Sequence, residues 1–138
     1  MRNSAHRRNT YYGEADFENF WGEELSEVVI RHHVESHAIY NNSRLLTEKV
    51  YHDIPDKTIL KNVFYFLYEI GIDNSYDYWY VKIKTKSGKV YKTKTNFYCS
   101  IRESDHGKVI LGVNGESRRL YLDFPSSSNC STALNEAD

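Results

Sequence analysis

The most regular alternation of hydrophobic and polar positions in the chain covers residues 78–98. β-Branched and aromatic residues recur there at every second position, which is the spacing of a half-buried β-strand. Gly88 lies near the centre of this stretch and predicts a hairpin with a three-residue turn that ends on a left-handed glycine. The resulting register places Ile83 opposite Tyr91.

The two faces of this predicted hairpin differ sharply in composition. One face is expected to cover the core and consists of Trp79, Val81, Ile83, Tyr91, Thr93, Phe97 and Cys99. The other face, called the Lys/Tyr face below, consists of Tyr78, Tyr80, Lys82, Lys84, Lys92, Lys94 and Tyr98. A two-residue turn would shift the pairing by one position and place Lys92 and Lys94 beside apolar side chains, which their ammonium groups disfavour. The three-residue turn is therefore preferred.

Two amphipathic helices are predicted ahead of the hairpin. Apolar residues at positions 17–39 recur at about 3.6 residues, which predicts a helix over roughly residues 16–40. Gly22 weakens this helix, and a break there or a short strand over residues 28–30 is an alternative. A second helix is predicted over residues 53–71, where acidic residues and a proline precede an apolar stripe that ends at a glycine.

A second hairpin is predicted in the last third of the chain. Apolar runs flank Asn114-Gly115, a dipeptide typical of tight type I′ turns, and this turn would pair Val109 with Leu120. The predicted fold class is therefore α+β, with two N-terminal helices packed on one face of a four-stranded antiparallel sheet made of two consecutive hairpins.

The chain length of 138 residues predicts one domain with a core of ordinary size. Residues 1–13 are basic and without periodicity, and we expect them to form a mobile arm. Residues 14–125 are expected to form the single α+β domain. Residues 126–138 are expected to form a polar C-terminal tail with no reason to fold.

The formal net charge of −1 conceals a strong segregation of charge along the chain. Residues 14–29 contain six acidic and no basic residues, whereas residues 78–98 contain six lysines and no acidic residue. Because nucleic-acid binding needs only a local basic patch, the net charge does not exclude it. The acidic segment is also a candidate to pair with the lysines, within one chain or between two copies.

The Lys/Tyr face is the main candidate for a binding site. Lysines neutralise phosphates, and an exposed tyrosine ring can stack on an unpaired base for about 1–3 kcal/mol. We therefore predict a non-enzymatic binding module for nucleic acid or a ribonucleoprotein, with Arg2, Arg7 and Arg8 of the arm adding contacts. The alternatives for this face are a solvated sheet surface and charge pairing with the acidic segment.

Two other functions are compatible with the sequence. The first is a small inhibitor or adaptor, of the type carried by phages or mobile elements, that docks on a protein through an acidic helix at 14–29 or through the Lys/Tyr face. The second is a metal-independent ribonuclease-like enzyme, which needs an acid, a base and a cation at one place. The candidate catalytic residues are His106, Arg102, Arg118 and Arg119.

No cofactor or metal site is expected. His33 and His37 would share one face of a helix and are the only candidate metal ligands, but no third ligand is visible. The two cysteines do not form a disulfide framework. Since no stretch approaches the roughly 18 apolar residues of a membrane span, we expect no membrane partner and a cytoplasmic location. The oligomeric state is left open.

Overall fold

The computed structural model describes residues 9–36, 45–70 and 75–137, which form ten β-strands. The strands are β1 (Asn9–Phe20), β2 (Leu25–Ser36), β3 (Leu45–Ile54), β4 (Thr58–Ile70), β5 (Ser75–Thr85), β6 (Val90–Lys92), β7 (Lys108–Asn114), β8 (Arg119–Asp123), β9 (Cys130–Ala133) and β10 (Asn135–Ala137). A single turn of 3-10 helix, Glu103–Asp105, precedes β7. Residues 1–8 of the predicted arm lie outside the described residues.

The strands form two five-stranded sheets that pack face to face as a β-sandwich. Sheet A has the order β4-β1-β7-β8-β9, and sheet B has the order β10-β6-β5-β2-β3. β1 and β7 run parallel, whereas the other neighbouring strands are antiparallel. Both sheets contribute fully buried side chains to one core, among them Phe17, Phe64, Leu111, Leu122, Ile30, Trp79 and Ile83.

The predicted α+β fold class is wrong, because the described residues contain no α-helix and two sheets of five strands each. The first predicted helix is instead the pair β1 and β2. Ala15 and Phe17 point into the core while Glu14 and Asp16 point outward, so the true period is two. The chain does turn at Gly22, which has φ +107°, but the turn joins β1 to β2 and interrupts no helix.

The second predicted helix is also wrong. Its start forms the end of β3 and a turn, and its apolar stripe forms β4. Phe64, Phe66 and Tyr68 are buried at alternate positions, whereas Ile59, an apolar residue within the predicted helix, is 46% exposed. The run of aromatic residues in β4 satisfies both a helical and a strand period, and packing against the other sheet selects the strand.

The predicted register of the first hairpin is confirmed. Ile83 pairs with Tyr91, and Gly88 has φ +98° at the end of the turn. β6 is short, but the chain continues beside β5 and forms a further bridge between Tyr78 and Tyr98. Between the Lys82–Lys92 pair and the Tyr78–Tyr98 bridge, β5 advances by four residues and the returning chain advances by six. The returning chain therefore has two extra residues, which form a bulge. An insertion of two preserves the alternation, and every residue of the predicted apolar face is buried.

The second hairpin forms with a different register from the one predicted. Leu120 pairs with Val113 and not with Val109, so the pairing is shifted by four residues and the faces are kept. Asn114 closes a longer turn, because its side-chain Oδ1 accepts hydrogen bonds from the backbone N–H groups of Glu116 and Ser117. A type I′ turn over two residues is therefore the wrong prediction.

The residues predicted as a polar tail contain two strands. β9 extends sheet A and β10 extends sheet B, and Leu134 between them is 2% exposed. A disulfide joins Cys130 of β9 to Cys99 beside β5, with a Cα–Cα distance of 6.3 Å. The chain therefore closes the sandwich at its C-terminal end with a covalent link between the two sheets, which the sequence analysis did not predict.

Asp105 fastens the loop before β7 to the chain after β8. Its carboxylate accepts hydrogen bonds from the hydroxyl of Ser127 and from the backbone N–H groups of Arg102, Ser126 and Ser127. Burial by itself would raise the pKa of Asp105, but these hydrogen bonds outweigh burial and lower the pKa below its ordinary value of 3.8.

We expect the stabilisation from Asp105 to be lost in acid. Because its folded-state pKa is depressed, the contribution is complete above the ordinary value of 3.8 and disappears as pH falls through the folded-state pKa. Asp105→Asn should therefore cost about 1–3 kcal/mol of unfolding free energy at neutral pH and progressively less below about pH 4. Urea unfolding at several pH values measures this, with the exposed Glu116→Gln as control; a pH-independent difference would contradict it.

Candidate functional site

The Lys/Tyr face lies on the outer surface of sheet B, along β5 and the returning segment 90–98. Lys84, Lys92 and Lys94 are exposed, and Lys82 is half-buried between its neighbours. Within the described ranges, no carboxylate lies at ion-pair distance from any of these four lysines. Their positive charge is therefore directed to solvent.

The acidic segment is divided between the two sheets. Glu27 of β2 lies opposite Lys84 in register, and Glu23 accepts a hydrogen bond from the backbone N–H of Ser87 in the hairpin turn, but the acids of β1 lie away from these lysines. Glu14 and Asp16 project from β1 on the outer surface of sheet A, on the opposite side of the sandwich. There they pair with the lysines of their own sheet, Glu14 with Lys108 and Asp16 with Lys61, the latter pair at 3.4 Å. An acidic docking helix at 14–29 is excluded, because these residues form β1, a turn and the start of β2.

An aromatic cluster occupies one end of the Lys/Tyr face. The ring of Tyr78 stacks on His33, its partner across β2 and β5, with centroids 5.0 Å apart and planes 6° apart. Tyr98 leans against Tyr78 at 6.0 Å and is 58% exposed. Burial, with Glu35 and the neighbouring tyrosines adding, raises the pKa of Tyr78 and keeps its hydroxyl neutral.

Tyr80 is engaged by its own chain. The Arg31 guanidinium lies over the ring at 4.5 Å, and the same guanidinium donates a 2.7 Å hydrogen bond to Glu48. Burial raises the pKa of Tyr80, Arg31 opposes this rise, and Glu48 adds to it. Of the three predicted tyrosines, only Tyr98 is exposed. Tyr78 is half-buried against His33 and Tyr98, and Arg31 covers the ring of Tyr80.

A pocket of about 610 Å³ opens beside the aromatic cluster, lined by Arg31, His33, Glu35, Leu46, Glu48, Tyr78, Thr95 and Asn96. The bulge after Lys94 carries Thr95 and Asn96 to its rim. Sequence reasoning missed the contribution of β2 because it placed these residues in a helix. The alternation of Val28, Ile30, His32 and Val34 was the available signal, since it places the residues between them on the opposite face.

A buried polar pair lies beneath this cluster, on the inner side of the same two strands. His32 is fully buried between the rings of Phe66 and Trp79. Its Nε2 lies 2.7 Å from Oδ1 of Asp77, whose Oδ2 accepts a hydrogen bond from the backbone N–H of Ile101. This pair holds the segment after Tyr98 against β5.

The predicted metal ligands are not brought together in the described residues. His33 stacks on Tyr78, and His37 lies outside the residues that the structure describes. Among those described, no group of three or more histidine, cysteine or acidic side chains is placed to hold a metal ion.

The candidate catalytic residues fall into two separate places. Arg102 and His106 flank the 3-10 turn that precedes β7, whereas Arg118 and Arg119 follow the C-terminal end of β7. Arg118 lies over the ring of Tyr91 at 5.3 Å, and Arg119 donates a hydrogen bond to the Ser131 hydroxyl. Since β7 has seven residues, about 20 Å of strand separates the two groups. They do not form one active site.

The sequence matches no protein-family model, and no curated protein matches it. None of the described segments forms a helix with the length and hydropathy needed to cross a membrane.

Proposed function

We propose that the protein is a non-enzymatic binding module that binds nucleic acid, free or within a ribonucleoprotein, through the Lys/Tyr face of sheet B. One observation carries this proposal: four lysines without an ion-pair partner in the described ranges share a sheet surface with the exposed ring of Tyr98 and the half-buried ring of Tyr78. Lysines on such a surface release counterions from phosphates, and the rings add sequence-tolerant stacking.

The geometry of β5 suits an extended ligand. Successive residues on one face of a strand lie roughly 6–7 Å apart, so Tyr78 and Lys82 are separated by about 13 Å and Lys84 lies farther along the same line. Lys92 pairs with Lys82 on the neighbouring strand, so the four lysines of the Lys/Tyr face form a band across two strands, which we call the lysine stripe. A nucleic-acid backbone that followed β5 would meet several ammonium groups in succession.

A charge-matched pair of variants tests this proposal. Lys82→Gln/Lys92→Gln should weaken binding of a labelled RNA and lower the slope of log affinity against log salt by roughly 1.4–1.8, because about two phosphate contacts are lost. Fluorescence anisotropy at several salt concentrations measures both quantities. Lys61→Gln/Lys108→Gln removes the same charge from sheet A and is the control.

The control variant should bind as the unmodified protein does. Equal losses in the two variants would assign the effect to net charge and contradict the proposed face. Absence of salt-dependent binding to RNA and DNA at low ionic strength would overturn the function itself, leaving a solvated face or an acidic protein partner as the alternatives.

A further inference from the structure

We infer that the pocket beside Tyr78 receives one unpaired base, so that the protein prefers single-stranded nucleic acid over a duplex. This inference rests on the proposed function and adds the form of nucleic acid that is bound. The pocket lies at one end of the lysine stripe, since Tyr78 lines it and Asn96 at its rim follows Lys94 closely in the chain.

The walls of the pocket match the chemistry of a base. Tyr78 and His33 provide a stacked aromatic wall, and Leu46 adds apolar surface. Because the two rings are nearly parallel, the stack is already formed in the free protein and needs no reordering to bind. An aromatic ring stacks on any of the bases, since each base has a π-face.

The pocket also provides hydrogen-bond donors and hydrogen-bond acceptors. The Asn96 amide has donors and an acceptor, the Thr95 hydroxyl can serve as either, and the Glu35 carboxylate accepts. A base edge carries donors and acceptors in the same way, and an unpaired base leaves that edge available. In a duplex, the same edge is paired and the face is stacked on its neighbours.

The charge that favours a nucleic-acid strand lies beside the pocket and not in it. Glu35 keeps a carboxylate at the pocket, 3.7 Å from Nε2 of His33. Arg31 and Glu48, which also line the pocket, neutralise each other in a 2.7 Å pair. Lys94 directly precedes Thr95 of the pocket, and the lysines of the Lys/Tyr face would hold the phosphates that flank the bound base. The pocket and the stripe together therefore fit one continuous single strand.

Binding of two nucleic-acid probes to the unmodified protein, to Tyr78→Leu and to a control variant tests this inference. The probes are a labelled single-stranded RNA of about ten nucleotides, within the site sizes of single-strand binders, and a duplex of the same sequence. Tyr78→Leu should weaken single-strand binding by about 5- to 150-fold, which converts to roughly 1–3 kcal/mol at 1.4 kcal/mol per tenfold change, and leave the salt slope unchanged. Tyr65→Leu removes an exposed ring from sheet A and should change nothing.

Asn96→Ala provides a second variant in an exposed bulge, where a folding defect is not expected. It should weaken single-strand binding without altering thermal unfolding. The base pocket is wrong if single strand and duplex bind equally and neither Tyr78→Leu nor Asn96→Ala weakens binding. If Lys82→Gln/Lys92→Gln still weakens binding in that case, the proposed function stands. If no nucleic acid binds at low salt, both are wrong.

Discussion

Replacing Asp77 with alanine should lower the free energy of unfolding by about 3–5 kcal/mol, the loss typical of breaking a buried polar pair from one side. Asp77 is 4% exposed and is the acceptor for both His32 and the backbone N–H of Ile101. Its removal leaves these two donors in the core without a partner, and each such group costs about 1–3 kcal/mol. Chemical denaturation followed by fluorescence measures the loss.

The matched control for this change is Asp123→Ala. Asp123 is exposed on sheet A, and its removal should change stability by no more than about 0.5 kcal/mol. A double-mutant cycle with His32→Ala should give a coupling energy of about 1–3 kcal/mol between the two side chains. A loss for Asp77→Ala no larger than that for Asp123→Ala would show that the pair does not hold this part of the sandwich together.

Breaking the disulfide between Cys99 and Cys130 should lower the free energy of unfolding by about 3–4 kcal/mol. The two residues are 31 apart in sequence, and a bond that closes a loop of that length restricts the unfolded chain substantially. The bond also joins the segment beside β5 to β9, so its loss should release the C-terminal strands first. Guanidinium unfolding with and without reductant measures the effect.

The variant Cys99→Ser/Cys130→Ser distinguishes the effect of losing the disulfide from other effects of the reductant on stability. Its stability should equal that of the reduced protein and should not respond to reductant. An unfolding midpoint of the unmodified protein that reductant does not move would contradict a stabilising bond. Because disulfides persist in oxidising compartments and are rare in the cytosol, this bond weighs against the cytoplasmic location that the sequence led us to expect.

The hairpin was predictable because its pattern is local and one-sided. Between residues 78 and 98, lysines alternate with apolar residues, and only one register keeps the lysines out of the core. The bulge of two residues escaped the prediction but preserved its faces, since a shift by an even number returns each side chain to the same side. The shift by four in the second hairpin preserved its faces for the same reason.

The two helices were predicted wrongly because their sequences fit two periods. In residues 17–34 and 59–70, apolar side chains are dense enough to fill a helical stripe as well as alternate strand positions. The contact that decides between them is the opposite sheet, which lies far away in sequence. β9 and the disulfide escaped prediction for a related reason. Each depends on a partner that only the folded sandwich brings close.

The sequence predicted the site residues of β5 but not those of the neighbouring strand β2. Tyr78 and the lysines follow from the alternation of β5, whereas His33 and Glu35 reach the pocket only because β2 pairs with β5. Tyr80 illustrates the limit of sequence reasoning, since nothing in its local pattern indicates that Arg31 covers its ring. Pairing between strands therefore determines which tyrosines are available to a ligand.

NMR mapping of a bound strand is the most direct test of whether nucleic acid lies on the outer face of sheet B. Titrating a short single-stranded RNA into ¹⁵N-labelled protein should shift the amide signals of β5 and residues 90–98, together with those of β2 around His33. The signals of β1 and β7 in sheet A should remain unchanged. Shifts confined to sheet A, or no shifts at low salt, would contradict the account.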